Sequence, residues 1–292
     1  MQSIKNWIEA ARIKTLPASL SPVLLGSSIA YFDKHYEPKA LIYCLLFAIL
    51  CQIGTNFSND YLDAKKGADT SQRIGPRRLV ASGILKPQAM FKAAITTLAL
   101  AFFVGLNLLP FGGYWLFAIG IPSLIFAWCY TGGPYPLAYN ALGDVFVVLF
   151  FGLIAVSISY YVQTQSFTWL VFLNAFACGL YINTLLLINN IRDYEEDRKH
   201  NKRTTIVLLG IPFGLKLYHL SLMNVFIVAL MNSINCHSLY HFLVLIPLFM
   251  SLQVGRELND AKTQSNFDSL LKKTGIAVLL YGMFASLGFI LS

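Results

Sequence analysis

Two polar stretches, Asn56-Phe-Ser-Asn-Asp-Tyr-Leu-Asp63 and Asn189-Asn-Ile-Arg-Asp-Tyr-Glu-Glu-Asp197, interrupt a sequence that is otherwise largely apolar. With the continuation of the first to Asp69 they hold Asp60, Asp63, Asp69, Asp193, Glu195, Glu196 and Asp197, half of the 14 acidic residues. Each follows a long hydrophobic run, so each carboxylate cluster is expected where a helix leaves a membrane. On a helix of about 3.6 residues per turn, Asn56, Asn59 and Asp63 share one face, and Asn190, Asp193 and Asp197 repeat the spacing. Carboxylates at the C-terminal end of a helix meet the negative pole of its dipole, unfavourable by roughly 0.3 to 1 kcal/mol each. Cations are therefore expected beside them.

The composition agrees with a membrane setting. The 292 residues are 56% hydrophobic and 12% charged, with mean hydropathy +0.60, against about 25% charge in soluble domains. A span takes about 20 apolar residues, and nine stretches qualify: 16–32, 39–57, 90–109, 112–130, 142–162, 168–188, 213–232, 238–254 and 274–291. The first contains Pro17 and Pro22 and lacks a small-residue cleavage site, so it reads as a retained span. The expected fold is all-α and polytopic, with nine transmembrane helices around a central cavity opening to the cytoplasmic side. A single membrane-embedded domain fills 1–292.

Orientation follows from the 22 Lys and Arg residues. All but Lys34 and Lys39 fall in the N-terminal segment, in loops after even-numbered spans or, for Lys92 and Lys216, in the first turn of the span that follows such a loop. The positive-inside rule then puts the N-terminus and both acidic clusters in the cytoplasm and the C-terminus outside, in the cytoplasmic membrane. The net charge of +8 fits attraction to anionic lipid or phosphate; no nucleic-acid motif is present, and no obligate protein partner is expected. Ile4, Trp7, Ile8 and Ala11 follow helical spacing beside Lys5, Arg12 and Lys14, as in a helix lying on the membrane surface. The five cysteines are scattered and read as packing residues.

The clusters end spans two and six, four spans apart. That predicts two similarly oriented four-helix units, about 16–130 and 142–254, plus a final helix 274–291, with the clusters facing each other across a cavity. Opposed Asp-rich faces with Lys and Arg near by suit Mg²⁺, which prefers oxygen ligands and shares its shell with substrate phosphates. Departure of a metal-bound diphosphate would then assist ionisation of an allylic C–O bond. The uncharged loop Tyr130-Thr-Gly-Gly-Pro-Tyr-Pro-Leu-Ala-Tyr139 is either plain turn chemistry or the lining of an aromatic pocket.

The motifs Asn59-Asp-x-x-Asp63 and Asp193-x-x-x-Asp197, after spans two and six of nine, resemble those of the UbiA superfamily of intramembrane aromatic prenyltransferases. Asn56 ahead of the first motif, Asp69 behind it, Gly75-Pro-x-Arg78, Tyr130-Thr-Gly-Gly-Pro134 and Asn189-Asn-Ile-Arg-Asp followed by Lys202-Arg-Thr204 resemble the branch acting on 1,4-dihydroxy-2-naphthoate. The resemblance implies that Asp60, Asp63, Asp193 and Asp197 bind Mg²⁺ and through it a polyprenyl diphosphate. Asn56, Asn59, Asn189 and Asn190 would orient water or metal ligands, and Arg78, Lys202 and Arg192 would contact phosphate oxygens. Tyr130 and Tyr139 join the substrate-binding set. The isoprenoid tail would enter an apolar tunnel open to the bilayer, and prenylation with loss of carboxylate would give demethylmenaquinol. There are departures. Gly67 stands where the superfamily usually has a third acid, with Asp69 expected to replace it; Arg77 adds a charge, and Asp144 occupies a position where Glu is common.

Two features read as structural. His237 and His241 are spaced like a ligand pair but lie toward the outer side, and the Phe-rich run from Val145 to Phe151 reads as packing or lipid contact. Two other functions remain open on the sequence: prenyl transfer to another acceptor such as 4-hydroxybenzoate, and membrane transport. Transport fits less well, because the acids gather at one membrane face and none lies mid-span.

Overall fold

A computed structural model describes residues 2–67, 77–261 and 263–292. Asp69, and Gly75 and Pro76 of the glycine-proline motif, lie outside these residues. Among the described residues ten principal helices follow one another: α1 (Gln2–Ala11), α2 (Pro17–Phe32), α3 (Pro38–Lys65), α4 (Pro87–Leu106), α5 (Tyr114–Cys129), α6 (Gly143–Thr164), α7 (Trp169–Arg192), α8 (Ile211–Asn235), α9 (Leu239–Asp260) and α10 (Gln264–Ile290). Among the described residues the chain forms helices and turns, with one isolated bridge between Asn140 and Arg203.

The local causes are conventional. Pro17, Pro38 and Pro87 stand at the first positions of α2, α3 and α4, where the missing N–H removes nothing from the helix. Thr168 and Thr263 cap α7 and α10 by accepting from Val171 N and Asn266 N. Among the described residues, seven helices (α3, α4 and α6 to α10) are long and apolar enough to cross a membrane. The other two expected spans fall on shorter elements. α2 has 16 residues, and α5 opens with a tight turn, Tyr114–Leu116, before its 13 α-helical residues.

α7 is the most enclosed span, and α6, α8 and α10 pack around it, while α2 lies between α6 and α10. Glycine allows a close crossing of α6 and α7. A side chain at Gly152 would meet Ala175 O and the Gly179 backbone, and one at Gly179 would meet Val148 O. Small residues let membrane helices approach this way, and Val148–Ile154 of α6 widens into a π-helical turn at the same place. Large apolar side chains such as Ile42, Phe103, Met223, Phe226 and Phe249 point outward, where a hydrocarbon environment solvates them. At the end opposite the acidic clusters, Trp115 Nε1 donates to Tyr161 Oη at 3.0 Å, as in an interfacial aromatic belt.

α1 divides its apolar residues between two surroundings. Trp7 packs edge-on against Phe57 of α3 at 5.7 Å and Ala11 joins the same cluster. Ile4 and Ile8 stay exposed, available to a bilayer surface. The helix ends at Arg12, whose φ of 50° turns the chain into α2. His237 sits exposed in a turn, while His241 is buried against Phe289, so the two do not share a helix face.

Candidate active site

The last turns of α3 carry the first cluster, and the helix runs unbroken through it. Asn56, Asn59 and Asp63 all line one large cavity. Asn56 is tied structurally: its Nδ2 donates to Ala11 O at 2.9 Å and to Thr15 Oγ1 at 3.0 Å, fixing α1 and the turn after it to α3. Asn59 Oδ1 accepts from Thr131 Oγ1 at 2.5 Å. Asp63 accepts from Tyr139 Oη at 2.8 Å and from Arg78 Nη2 at 3.2 Å. Asp60, one position off that face, is buried and does not line the cavity. Its two oxygens accept from the backbone amides of Leu79 and Val80, each at 3.1 Å, which anchors the returning chain ahead of α4. Arg77 pairs at 2.9 Å with Glu9 of α1 on the exposed surface, away from this set.

The second cluster is built differently. α7 ends at Arg192, and Asp193, with φ −89° and ψ 6°, links it to a short helix, Tyr194–Lys199. The expected continuous face through Asn190, Asp193 and Asp197 is therefore broken at Asp193. Arg192 grips its neighbour in bidentate fashion, Nε and Nη2 reaching Asp193 Oδ1 and Oδ2 at 2.6 and 2.9 Å. Asn189, Asn190, Arg192 and Asp193 line the cavity; Asp197 does not. Asp197 instead holds Lys202 Nζ at 3.1 Å, and Lys202 is itself a lining residue. The cations expected at the helix ends are thus present, with Arg78 on Asp63, Arg192 on Asp193 and Lys202 on Asp197.

The loop after α5 joins the two clusters. Ala138 N donates back to Tyr130 O at 2.9 Å, closing the loop, and Arg203 N donates to Tyr139 O at 3.1 Å. Lys66 donates to Thr131 O at 2.5 Å with its ammonium 4.4 Å from the centre of the Tyr139 ring, and the Lys202 ammonium lies 5.7 Å from the same ring. Burial holds the Lys66 amine below its ordinary value, partly opposed by Asp63. Tyr130 is pushed up, first by burial and then by the charges of Asp144, Asp63 and Asp197, so its phenol stays protonated and keeps a proton to donate.

Asp144, near the start of α6, also lines the cavity and is buried. Asn183 Nδ2 donates to one of its oxygens at 2.9 Å and Thr205 Oγ1 to the other at 2.5 Å. Asp144, Thr131 and Lys66 are not among the site residues expected from the sequence, although Thr131 lies in the tyrosine-glycine motif and Asp144 stands out as a departure from the family pattern; Lys66 carries no signal beyond its charge. Arg12, Lys14, Asp268 and Lys272 also reach the rim, with no sequence signal beyond charge.

The cavity encloses about 980 Å³. Below its polar head it is lined by Phe47, Phe102, Phe126, Phe146, Phe150 and Phe151, and it ends among Val23, Cys44, Leu108 and Leu116. The π-helical turn carries Phe150 and Phe151 to the wall, so much of the run read as packing faces the interior. At 1.5 Å rise per residue, α3 spans about 28 Å from Cys44 to Asp63. The cavity is thus a long apolar slot headed by acids, amides and cations.

The acids fit Mg²⁺ in a specific sense. Among the described residues no three acidic, histidine or cysteine side chains converge on one metal position. Asp63 and Asp193 nevertheless present hard oxygen donors to the same space. A cation held by one or two carboxylates, with waters and phosphate oxygens completing its shell, is the usual Mg²⁺ arrangement.

The UbiA prenyltransferase family profile matches residues 19–288. The chain is 34% identical to the 1,4-dihydroxy-2-naphthoate octaprenyltransferase of Escherichia coli strain K12, covering 98% of this chain and 95% of that one. It is 37% identical to the enzyme of the same name from Haemophilus influenzae over 77% of this chain and 75% of that one. It is 30% identical to the UbiA prenyltransferase domain-containing protein 1 of Homo sapiens over 100% and 85%. In fold it is similar to a UbiA homolog from Archaeoglobus fulgidus solved with DMAPP and Mg²⁺, with TM-score 0.67, 16% identity and coverage of 97% and 98%. It is also similar to the apo UbiA homolog from Aeropyrum pernix K1, with TM-score 0.68, 15% identity and coverage of 96% and 98%.

Proposed function

The chain belongs to the UbiA prenyltransferase family, and from that premise we propose that it transfers a polyprenyl group from polyprenyl diphosphate to 1,4-dihydroxy-2-naphthoate, with loss of carboxylate and diphosphate, giving demethylmenaquinol. The observation that carries this reading is the pairing of Asp63 with Arg78 and of Asp193 with Arg192 at the head of one apolar slot. Acids and cations there suit a metal diphosphate, and the phenylalanine-lined length below suits an isoprenoid tail. Full-length relatives named for this acceptor support its choice.

In this assignment Asp63 and Asp193 make the primary metal contacts. Bound Mg²⁺ neutralises charge developing on the departing diphosphate. Arg78, Arg192 and Lys202 bind phosphate oxygens, while Asn59, Asn189 and Asn190 orient water around them. Asp60 and Asp197 support from behind, the first anchoring Leu79 and Val80 and the second holding Lys202. Asn56 fixes α1 over the site. Tyr139 aligns Asp63, and the acceptor ring lies beside Tyr130 and Tyr139. The apolar walls keep water from an allylic cation it would quench.

The chain is a multi-span membrane protein. We assign it nine spans, α2 to α10, in the cytoplasmic membrane, with the N-terminus and cavity head cytoplasmic and the C-terminus outside. α2 to α5 and α6 to α9 form the two similar units, and α10 closes the bundle. The deciding assay supplies purified protein in detergent with dihydroxynaphthoate and a long prenyl diphosphate. Product should form with Mg²⁺ and vanish with EDTA; no product under Mg²⁺, or equal turnover of 4-hydroxybenzoate, overturns the assignment.

A further inference from the structure

Asp144 differs in its company from the acids of the two clusters. Asp63, Asp193 and Asp197 each face a guanidinium or ammonium, whereas Asp144 is held by two neutral donors, Asn183 Nδ2 and Thr205 Oγ1. Asn183 is 1% exposed, and its Oδ1 has no hydrogen-bond partner among the described residues. Leaving a buried acceptor unpaired is unfavourable, and here it accompanies an amide N–H aimed at the carboxylate. Among the described residues each oxygen of Asp144 accepts one hydrogen bond and retains a lone pair, on a wall of the cavity. A hydroxyl beside it is the natural complement.

Tyr130 stands close to the backbone that carries this carboxylate. Its oxygen lies 3.4 Å from where a side chain on Gly143, the residue before Asp144, would begin. It lines the cavity, and Asp144 is the first of the three carboxylates acting on it. A ring hydroxyl is both donor and acceptor, so an acceptor-only carboxylate and a phenol donor together satisfy it.

We propose that Asp144 and Tyr130 seat one ring hydroxyl of the aromatic acceptor, Asp144 taking its proton and Tyr130 donating to its oxygen. The assignment rests on the aromatic acceptor proposed above. As the ring carbon bonds to the allylic carbon, the bonding pair of the breaking C–O bond leaves with diphosphate. The O–H pair moves into the ring and the proton passes to Asp144. Loss of carbon dioxide then returns an electron pair to the ring oxygen, which recovers the proton from Asp144. Asn183 and Thr205 are positioning residues that aim the carboxylate.

The test uses the full chain in detergent with three ligands: dihydroxynaphthoate as substrate, and 1-hydroxy-2-naphthoate and 4-hydroxy-2-naphthoate as competitive inhibitors. Asp144→Asn should lower kcat/KM for dihydroxynaphthoate at least about tenfold, the worth of one charged hydrogen bond, and leave KM for the prenyl diphosphate unchanged. It should also weaken 1-hydroxy-2-naphthoate about tenfold and spare 4-hydroxy-2-naphthoate, because the electron pair freed by loss of carbon dioxide can return only to the oxygen on the carbon next to the carboxyl-bearing one. Asp144→Glu should recover part of the loss, and Tyr130→Phe, which removes a single oxygen, should show the same preference between inhibitors. Selective weakening of 4-hydroxy-2-naphthoate, equal weakening of both inhibitors, no weakening of either, or a raised KM for prenyl diphosphate overturns the proposal. Wild-type protein that fails to turn over dihydroxynaphthoate overturns the proposed function instead, and is a different result.

Discussion

Tyr139 Oη donates to Asp63 Oδ1 at 2.8 Å while the Lys66 ammonium lies 4.4 Å from the centre of the Tyr139 ring. One side chain thus aligns the first acidic cluster and binds the cation behind it. Tyr139→Phe keeps the ring and removes the donor, so kcat/KM should fall about tenfold, as for one hydrogen bond to a charged group. Tyr139→Leu also loses the cation–π contact and should fall further. Steady-state kinetics on the two variants decide; equal rates for Phe and wild type would remove Tyr139 from the site.

Asp63→Asn and Asp193→Asn should each reduce turnover by two to three orders of magnitude, since one preorganised electrostatic contact is commonly worth about 2.7 to 4 kcal/mol. Their combination should lose far less than the product of the two, because residues acting as a unit are non-additive. A double-variant loss equal to that product would separate the clusters into independent sites.

The same two variants should differ in stability. Dipole repulsion at a helix end favours removing either carboxylate, but the Arg192 side chain is 2% exposed and Asp193 is its bidentate partner. Stripping the partner from a buried charge outweighs a dipole effect. Thermal unfolding in EDTA should show a lower Tm for Asp193→Asn, and a smaller change for Asp63→Asn, whose partner Arg78 is 9% exposed.

Gly120 of α5 lines the cavity, and a side chain there would meet no atom within 4 Å. Gly120→Phe should fold normally and block the slot below the head. Turnover of a long prenyl diphosphate should fall at least about tenfold relative to a five-carbon one, because overpacking is resisted by a close-packed wall. An unchanged ratio would place the tail elsewhere.

Lys66 gives a pH signature. Its folded-state pKa lies below the ordinary 10.5 because burial disfavours the charge. Between that lowered value and 10.5 the folded chain binds fewer protons than the unfolded one, so this residue makes stability rise with pH through that window. Lys66→Gln should flatten the rise in Tm measured across it; an identical pH dependence would show that the amine is not held in this way.

The membrane character, the helical class and the positions of both acidic clusters were fixed by composition and by apolar runs, because a span must satisfy its backbone internally whatever packs around it. The cations beside the carboxylates followed from the helix dipole, and the tyrosine loop from its turn residues. Which acids face the cavity did not follow. Asp60 and Asp63 differ by a rotation about α3 that the contact with Leu79 and Val80 sets, and Asp193 and Asp197 are parted by the end of α7. Asp144 acquires its role only when Asn183 and Thr205, 39 and 61 residues away in sequence, close upon it. Phe150 and Phe151 turn inward through a π-helical turn beside the Gly152 and Gly179 crossing. Periodicity places a residue on a face of its own helix, but which neighbour that face meets is decided by packing between segments distant in the chain.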